Sequence, residues 1–326
     1  MKFGFIGTNF VSEMMLEATI GVEEFELAAV CSRTLENAEA FAKKHNVEFY
    51  TTDYKDFLDR NLDAVYVAVP NAMHKDITIF FLEHKIPVFC EKPMGSNARE
   101  VKEMIKASRD NNTLLAEGIV PLYTEAFKVI KNNLDKIGTV RRAVLSMNQY
   151  SSRYDAYREG TVLNAFNPKL SNGSSMDIGI YPLSFAMGLF GKPTSVFANG
   201  YVLESKADGL GTIILSYPEK QVIVMHSKIN QQLMTQEIEG EDGIIEFDHP
   251  NNPTKVILHP RNGEAEVLYE ETEEKSPMHY EIREFIDAVK NNLVEMPSAT
   301  HQMILDVHTV LTESRRQMGV VFPADL

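Results

Sequence analysis

The chain has 326 residues, enough for about two domains at roughly 150 residues each, which excludes a disulfide-stapled miniprotein. Hydrophobic residues make up 44% and charged residues 24%, ordinary for a folded globular protein and unlike a disordered chain or a coiled coil. Asp and Glu outnumber Lys and Arg 46 to 32, and with no long basic run a nucleic-acid partner is not expected.

Met1-Lys2 runs into Phe3-Gly4-Phe5-Ile6 without the segments of a signal peptide, and no apolar run approaches about 18 residues, so no membrane partner is expected. The first third then alternates short apolar strands with 3.6-period amphipathic stretches, the pattern of a parallel sheet with crossover helices. Strands are predicted at 2–6, 27–31, 48–50, 64–69, 88–90 and 114–117, with helices over 35–45, 72–84 and 97–111. Thr34, Asn71 and Ser96 stand where helix caps belong. Cys31 and Cys90 lie inside apolar runs with no second cysteine at zinc spacing, so they read as buried thiols of a reducing cytoplasm.

From about Arg141 the rhythm changes to alternating segments at 141–150, 194–203, 211–217, 221–229 and 235–248, which read as one antiparallel sheet. A helix is predicted over 177–190 and two more between 278 and 318, while the acidic run 270–274 reads as a solvated turn. The fold class is therefore α/β: a doubly wound parallel sheet over 1–120, then an α+β domain with an open, mostly antiparallel sheet over 121–326, its helices at 278–318 packing back. The sheet's outer apolar face has no later helix to cover it fully, which predicts a homo-oligomer.

The turn after the first strand, Gly7-Thr8-Asn9-Phe10-Val11-Ser12, stands where a dinucleotide-binding turn belongs. Gly7 supplies the tight turn, and Asn9, in a glycine's place, tolerates left-handed backbone angles. After the second strand an NAD site would place an acid, whereas Ser32-Arg33-Thr34 offers hydroxyls and a guanidinium suited to a 2'-phosphate, so NADP is preferred over NAD; the alternative is an exposed loop arginine. Val69-Pro70-Asn71-Ala72-Met73-His74 and Glu91-Lys92-Pro93 end the fourth and fifth strands, on the carboxyl edge where ligands of such folds bind.

The Gly-Thr turn, Pro-Asn-x-x-His, Glu-Lys-Pro and Met176-Asp177-Ile178-Gly179-Ile180-Tyr181-Pro182 together resemble the Gfo/Idh/MocA oxidoreductases over essentially the whole chain. The Asp-Ile-Gly-x-Tyr form is most similar to the branch of dimeric dihydrodiol dehydrogenase and NADP-dependent xylose dehydrogenase. The resemblance implies a Rossmann domain holding a nicotinamide cofactor, a sugar or polyol substrate, and a homodimer or homotetramer built on the second domain's sheet. It places Lys92, Asp177 and Tyr181 at the family's catalytic positions. Departures are Asn9, Leu122 where many relatives carry arginine, and the partial glycine run Gly173-Ser174-Ser175.

Oxidising a secondary alcohol by hydride transfer requires a base for the hydroxyl proton, or a donor in reverse. Tyr181 can serve, because an adjacent ammonium such as Lys92 favours the phenolate; which of the two moves the proton stays open. Asp177, four residues before Tyr181, shares its helix face and either orients Lys92 or the substrate or caps the helix. Pro70 and Asn71 shape the nicotinamide end, with Asn71 equally readable as a plain cap, and His74 is a positioning donor or helix-start residue. Arg153, Tyr154, Arg158 and Asn164 are candidate substrate contacts. The nine histidines show no metal-ligand spacing, so no metal is expected. Two rivals remain: a non-catalytic NADP(H)-sensing regulator, and a glycosidase that uses NAD transiently.

Overall fold

The computed structural model describes residues 1–272 and 276–326, so Glu273 and Glu274 of the acidic run lie outside the described residues. The chain divides into two compact units. The first comprises Met1–Gly95, Arg99–Gly118 and Lys275–His301, and the second Ser96–Ala98, Ile119–Glu274 and Gln302–Leu326.

In the first unit the elements run β1 (Lys2–Ile6), α1 (Phe10–Ala18), β2 (Glu26–Cys31), α2 (Leu35–Lys44), β3 (Phe49–Thr51), β4 (Ala64–Val67), α3 (His74–Glu83), β5 (Val88–Glu91), α4 (Ala98–Asn111) and β6 (Leu115–Gly118). The strands form one parallel sheet in the order β3-β2-β1-β4-β5-β6. β4, β5 and β6 are buried at every position, which is why they read as continuous apolar runs rather than alternating ones. Phe3, Phe5, Tyr66 and Phe89 form an aromatic core that Phe285, from the helix Met278–Lys290, joins. The strand order reverses between β1 and β4, and ligands of doubly wound sheets bind at the carboxyl ends beside such a reversal.

Most predicted boundaries hold to within two residues. A 3-10 turn at Asn71–Met73 leads into α3, so Met73 rather than Asn71 occupies the cap position, and no side chain caps this helix. The turn satisfies the entering N–H groups itself, with Met73 N donating to Pro70 O at 2.8 Å, which removes the need for a side-chain cap. Thr34 does cap α2, its Oγ1 accepting from Asn37 N. Cys31 and Cys90 are buried and unbridged.

The second unit carries α5 (Glu125–Asn132), β7 (Val140–Asn148), α6 (Tyr154–Arg158), α7 (Ile180–Phe190), β8 (Ser195–Val202), β9 (Asp208–Ser216), β10 (Gln221–Ser227), β11 (Gln236–Gly240), β12 (Gly243–Phe247), β13 (Lys255–Pro260) and β14 (Glu266–Glu270). The helix Met278–Lys290, α8, falls in the first unit, and α9 (His301–Met318) lies almost wholly in the second. The sheet order is β14-β13-β12-β11-β7-β10-β9-β8. All its pairs are antiparallel except β7 with β10. The inner face buries Ala143, Leu145, Ile213, Leu215, Val222 and Val224; Phe185 of α7 stacks on Phe247. On the opposite face the register lines up Phe197, Ile214, Ile223 and Val144 across four strands, with Phe197 62% exposed.

Candidate active site

Gly7 has φ +111, and a Cβ there would lie 2.1 Å from the carbonyl oxygen of Ala68, so the turn after β1 can approach the end of β4 only as glycine. Asn9 is not left-handed, as its residue type suggested, but extended, with φ -89 and ψ -178. Its side chain is the reason. Oδ1 accepts from Val11 N and Ser12 N at 2.9 and 3.3 Å, while Nδ2 donates to Ala68 O at 2.8 Å. Asn9 is thus the N-cap of α1 and ties that helix to β4, and Ser12 Oγ closes the turn by donating to Gly7 O at 2.9 Å.

Thr8 Oγ1 and Ser32 Oγ lie 2.8 Å apart, coupling the turns after β1 and β2. Arg33 is exposed, and no acid stands beside it in 32–34. Phe10, 61% exposed, marks the open lip at the start of α1, where the helix dipole is positive. A glycine that a Cβ would block, a helix N-terminus on an open lip, and two hydroxyls with a guanidinium at the end of β2 fit a phosphorylated dinucleotide.

At the ends of β4 and β5, His74 is fully buried, with Nδ1 and Nε2 2.9 and 2.8 Å from the carbonyl oxygens of Pro93 and Val69. Burial pushes its pKa below the ordinary value, opposed by those two carbonyls. The ring ties the two loops together. Glu91 also turns inward: its carboxyl accepts from Tyr66 Oη and, at 3.3 Å, from Lys92 N. Burial raises the Glu91 carboxyl above its usual range. Val69 and Pro70 are half-buried and Asn71 is buried. From Val88 to Asn97 every residue is buried except Lys92.

The second unit shows the same economy of exposure. A π-helical turn, Ser175–Gly179, precedes α7, so helical structure starts before Asp177 and Asp177 is not its cap. π turns recur at functional sites. From Gly173 to Met187 every residue is buried except Asp177 and Tyr181. Beneath the turn, Asp208 Oδ2 accepts from Ser175 N at 2.6 Å, and His226 Nδ1 lies 2.9 Å from Ser174 Oγ. Burial pushes His226 below its ordinary value, against the pull of Asp208. A Cβ on Gly173 would meet Asp208 Oδ1 at 2.1 Å, which explains the glycine in that partial run. Asp177 itself is ion-paired with Lys228.

Lys228, His226 and Asp208 were not read from the sequence as site residues. The available signal was the alternation His226, Lys228 at the end of β10, which puts both on one face. Of the candidate substrate contacts, Tyr154 packs with Tyr157 and Phe166, and the Lys228 ammonium lies 5.9 Å from the Phe166 ring centroid. Arg153 is half-buried just before α6, and Asn164 is exposed at the start of a 3-10 turn. Arg158 lies exposed beside Asp155, at 3.5 Å, and Tyr150. Leu122 is a core residue packed beside Gly188 of α7.

The parallel sheet, with its strand order reversing between β1 and β4 and its glycine turn after β1, is of the dinucleotide-binding type. The chain belongs to the Gfo/Idh/MocA family: residues 1–119 match its oxidoreductase family NAD-binding Rossmann fold and residues 127–246 its C-terminal domain. It is 45% identical over 326 residues to scyllo-inositol 2-dehydrogenase (NADP(+)) IolU of Bacillus subtilis, covering 100% of this chain and 99% of that protein. It is 29% identical to trans-1,2-dihydrobenzene-1,2-diol dehydrogenase of Xenopus laevis, covering 99% of each. Among solved structures, levoglucosan dehydrogenase in complex with NADH and levoglucosan shares the fold at a TM-score of 0.85, with 17% identity over 98% of this chain and 97% of that one. The protein is an NAD(P)-dependent dehydrogenase or reductase acting on CH–OH groups. Among the described residues no helix is long and apolar enough to cross a membrane.

Proposed function

We propose that the protein oxidises a ring CH–OH of a cyclic polyol or sugar to the ketone, or reduces the ketone, with NADP(H) preferred over NAD(H). One observation carries this reading: Lys92 is the sole residue of 88–97, and Asp177 and Tyr181 are the sole residues of 173–187, that escape burial. An ammonium, a carboxyl and a phenol are left accessible on otherwise buried segments, which a non-catalytic sensor would not need. The 45% identical relative is an NADP-dependent inositol dehydrogenase, which supports the substrate class and the cofactor.

Gly7, Thr8, Asn9, Phe10 and Val11 would hold the pyrophosphate at the start of α1; Ser32, Arg33 and Thr34 would hold the 2'-phosphate, and Val69, Pro70 and Asn71 the nicotinamide end. The bound nicotinamide supplies a hydride acceptor or donor. Tyr181 takes the proton of the reacting hydroxyl or returns it to the carbonyl, and the Lys92 ammonium stabilises charge developing on that oxygen. Asp177 orients the substrate by accepting a hydrogen bond from a hydroxyl. His74 and Glu91 act on the loops that carry Asn71 and Lys92.

The stripe of Phe197, Ile214, Ile223 and Val144 is proposed as the surface of a homodimer or homotetramer, and the two buried free thiols suit a cytoplasmic protein. Light scattering at micromolar concentration tests the oligomer, and a mass of 36.8 kDa, that of one chain, would refute it. The activity is tested by following reduced-nicotinamide absorbance with a panel of inositols, sugars and dihydrodiols and both cofactors. Stoichiometric reduction of NADP by a polyol is expected. Cofactor binding without turnover would favour the sensor, and bond hydrolysis without net absorbance change would favour the glycosidase.

A further inference from the structure

We propose that Lys228 is a positioning residue for hydride transfer, holding Asp177 as a carboxylate in the orientation that receives the substrate hydroxyl. The proposal rests on the function just given for Asp177. Lys228 follows β10, and its main chain is pinned on both sides: its N donates to Gly209 O and its O accepts from Ser151 N, each at 2.9 Å. Its side chain is 5% exposed, whereas that of its ion-pair partner Asp177 is 30% exposed. An ammonium so buried persists when paired, and opposite charge favours the ionised carboxylate. Lys228 therefore acts on substrate through Asp177, whose 30% exposed side chain accepts a hydrogen bond from a substrate hydroxyl.

The other titratable groups packed on this segment do not replace that charge. His226, from β10, is kept below its ordinary pKa by burial and lies against Ser174. Asp208, from β9, is committed to Ser175 N, and Tyr181 follows one turn along. The three side chains divide two tasks: Asp208 and His226 set the π turn, and Lys228 sets the charge state and direction of the carboxylate the turn presents.

The test uses the full chain with NADP and a substrate it turns over. Lys228→Met should lower kcat/KM at neutral pH by about ten- to a hundredfold with cofactor affinity unchanged, and raise the acidic limb of the kcat/KM profile by about one pH unit or more. Activity should then recover as pH rises, and Lys228→Arg, which keeps the charge, should restore the wild-type limb. In an Asp177→Asn background the same lysine substitution should add less than about threefold, because the two side chains act as one unit. If Lys228→Met does not fold, the double variant, which leaves no lone buried charge, is compared with Asp177→Asn alone. An unmoved limb, or a loss of equal size in both backgrounds, would overturn the proposal. Carbon-detected magnetic resonance of the Asp177 carboxyl gives a readout independent of turnover: its titration should move up in Lys228→Met. That readout separates failure of this proposal from failure of the assigned activity, which would appear as a wild-type protein with no polyol substrate.

Discussion

Glu281, on α8, is fully buried, and neither of its carboxyl oxygens has a hydrogen-bond partner among the described residues. Burial pushes its pKa well above the usual 4.5, and Glu91 and Glu117 push it the same way. The folded protein therefore binds this proton more tightly than the unfolded chain does. The contribution of this one group to stability is fully present below the unfolded value near 4.5, and falls by about 1.4 kcal/mol per pH unit until the raised folded value is passed. Glu281→Met, close in volume and without polar atoms, removes both this proton linkage and the unsatisfied oxygens. Leaving a buried polar group unsatisfied costs about 1–3 kcal/mol, which this replacement removes, and the gain is larger where the carboxyl is ionised. Urea unfolding followed by circular dichroism, from about pH 5 to about pH 8, should show a gap between variant and wild type that widens with pH. A variant less stable than wild type at the upper pH, or a gap independent of pH, would refute the argument.

Lys92→Met and Tyr181→Phe should each lower turnover by about a hundredfold or more while cofactor affinity stays within about tenfold, and the double variant should be little worse than either; near-wild-type turnover by either single variant would remove its assignment. Arg33→Ala should weaken NADP(H) by about ten- to a hundredfold, matching about 1.5–3 kcal/mol for a charge-assisted contact, and leave NAD(H) nearly unchanged; nicotinamide fluorescence titrations read this, and equal losses would show that Arg33 does not read the 2'-phosphate. Gly7→Ala should abolish binding of both cofactors, since its Cβ would lie 2.1 Å from Ala68 O at φ +111; isothermal titration with wild-type affinity would contradict the cradle.

Much of the architecture was legible in the sequence because it is local. Short apolar runs alternating with 3.6-period stretches specify strands and crossover helices, and Gly7, Pro70 and Lys92 fall at strand ends because those ends are set by the same runs. Asn9 shows where locality stops: its residue type permits a left-handed turn, but a carbonyl 59 positions away, that of Ala68, draws it into an extended cap. The second unit shows it again. Period-two alternation told which side chains share a face of β10 but not that β10 lies parallel to β7, since register and partner depend on the whole sheet. Tertiary structure alone placed His226 against Ser174, 52 positions earlier, and Lys228 on Asp177. Charge pairing and burial act through space, so the groups that set a carboxylate's state come from wherever the chain has folded back, and no spacing in the sequence records them.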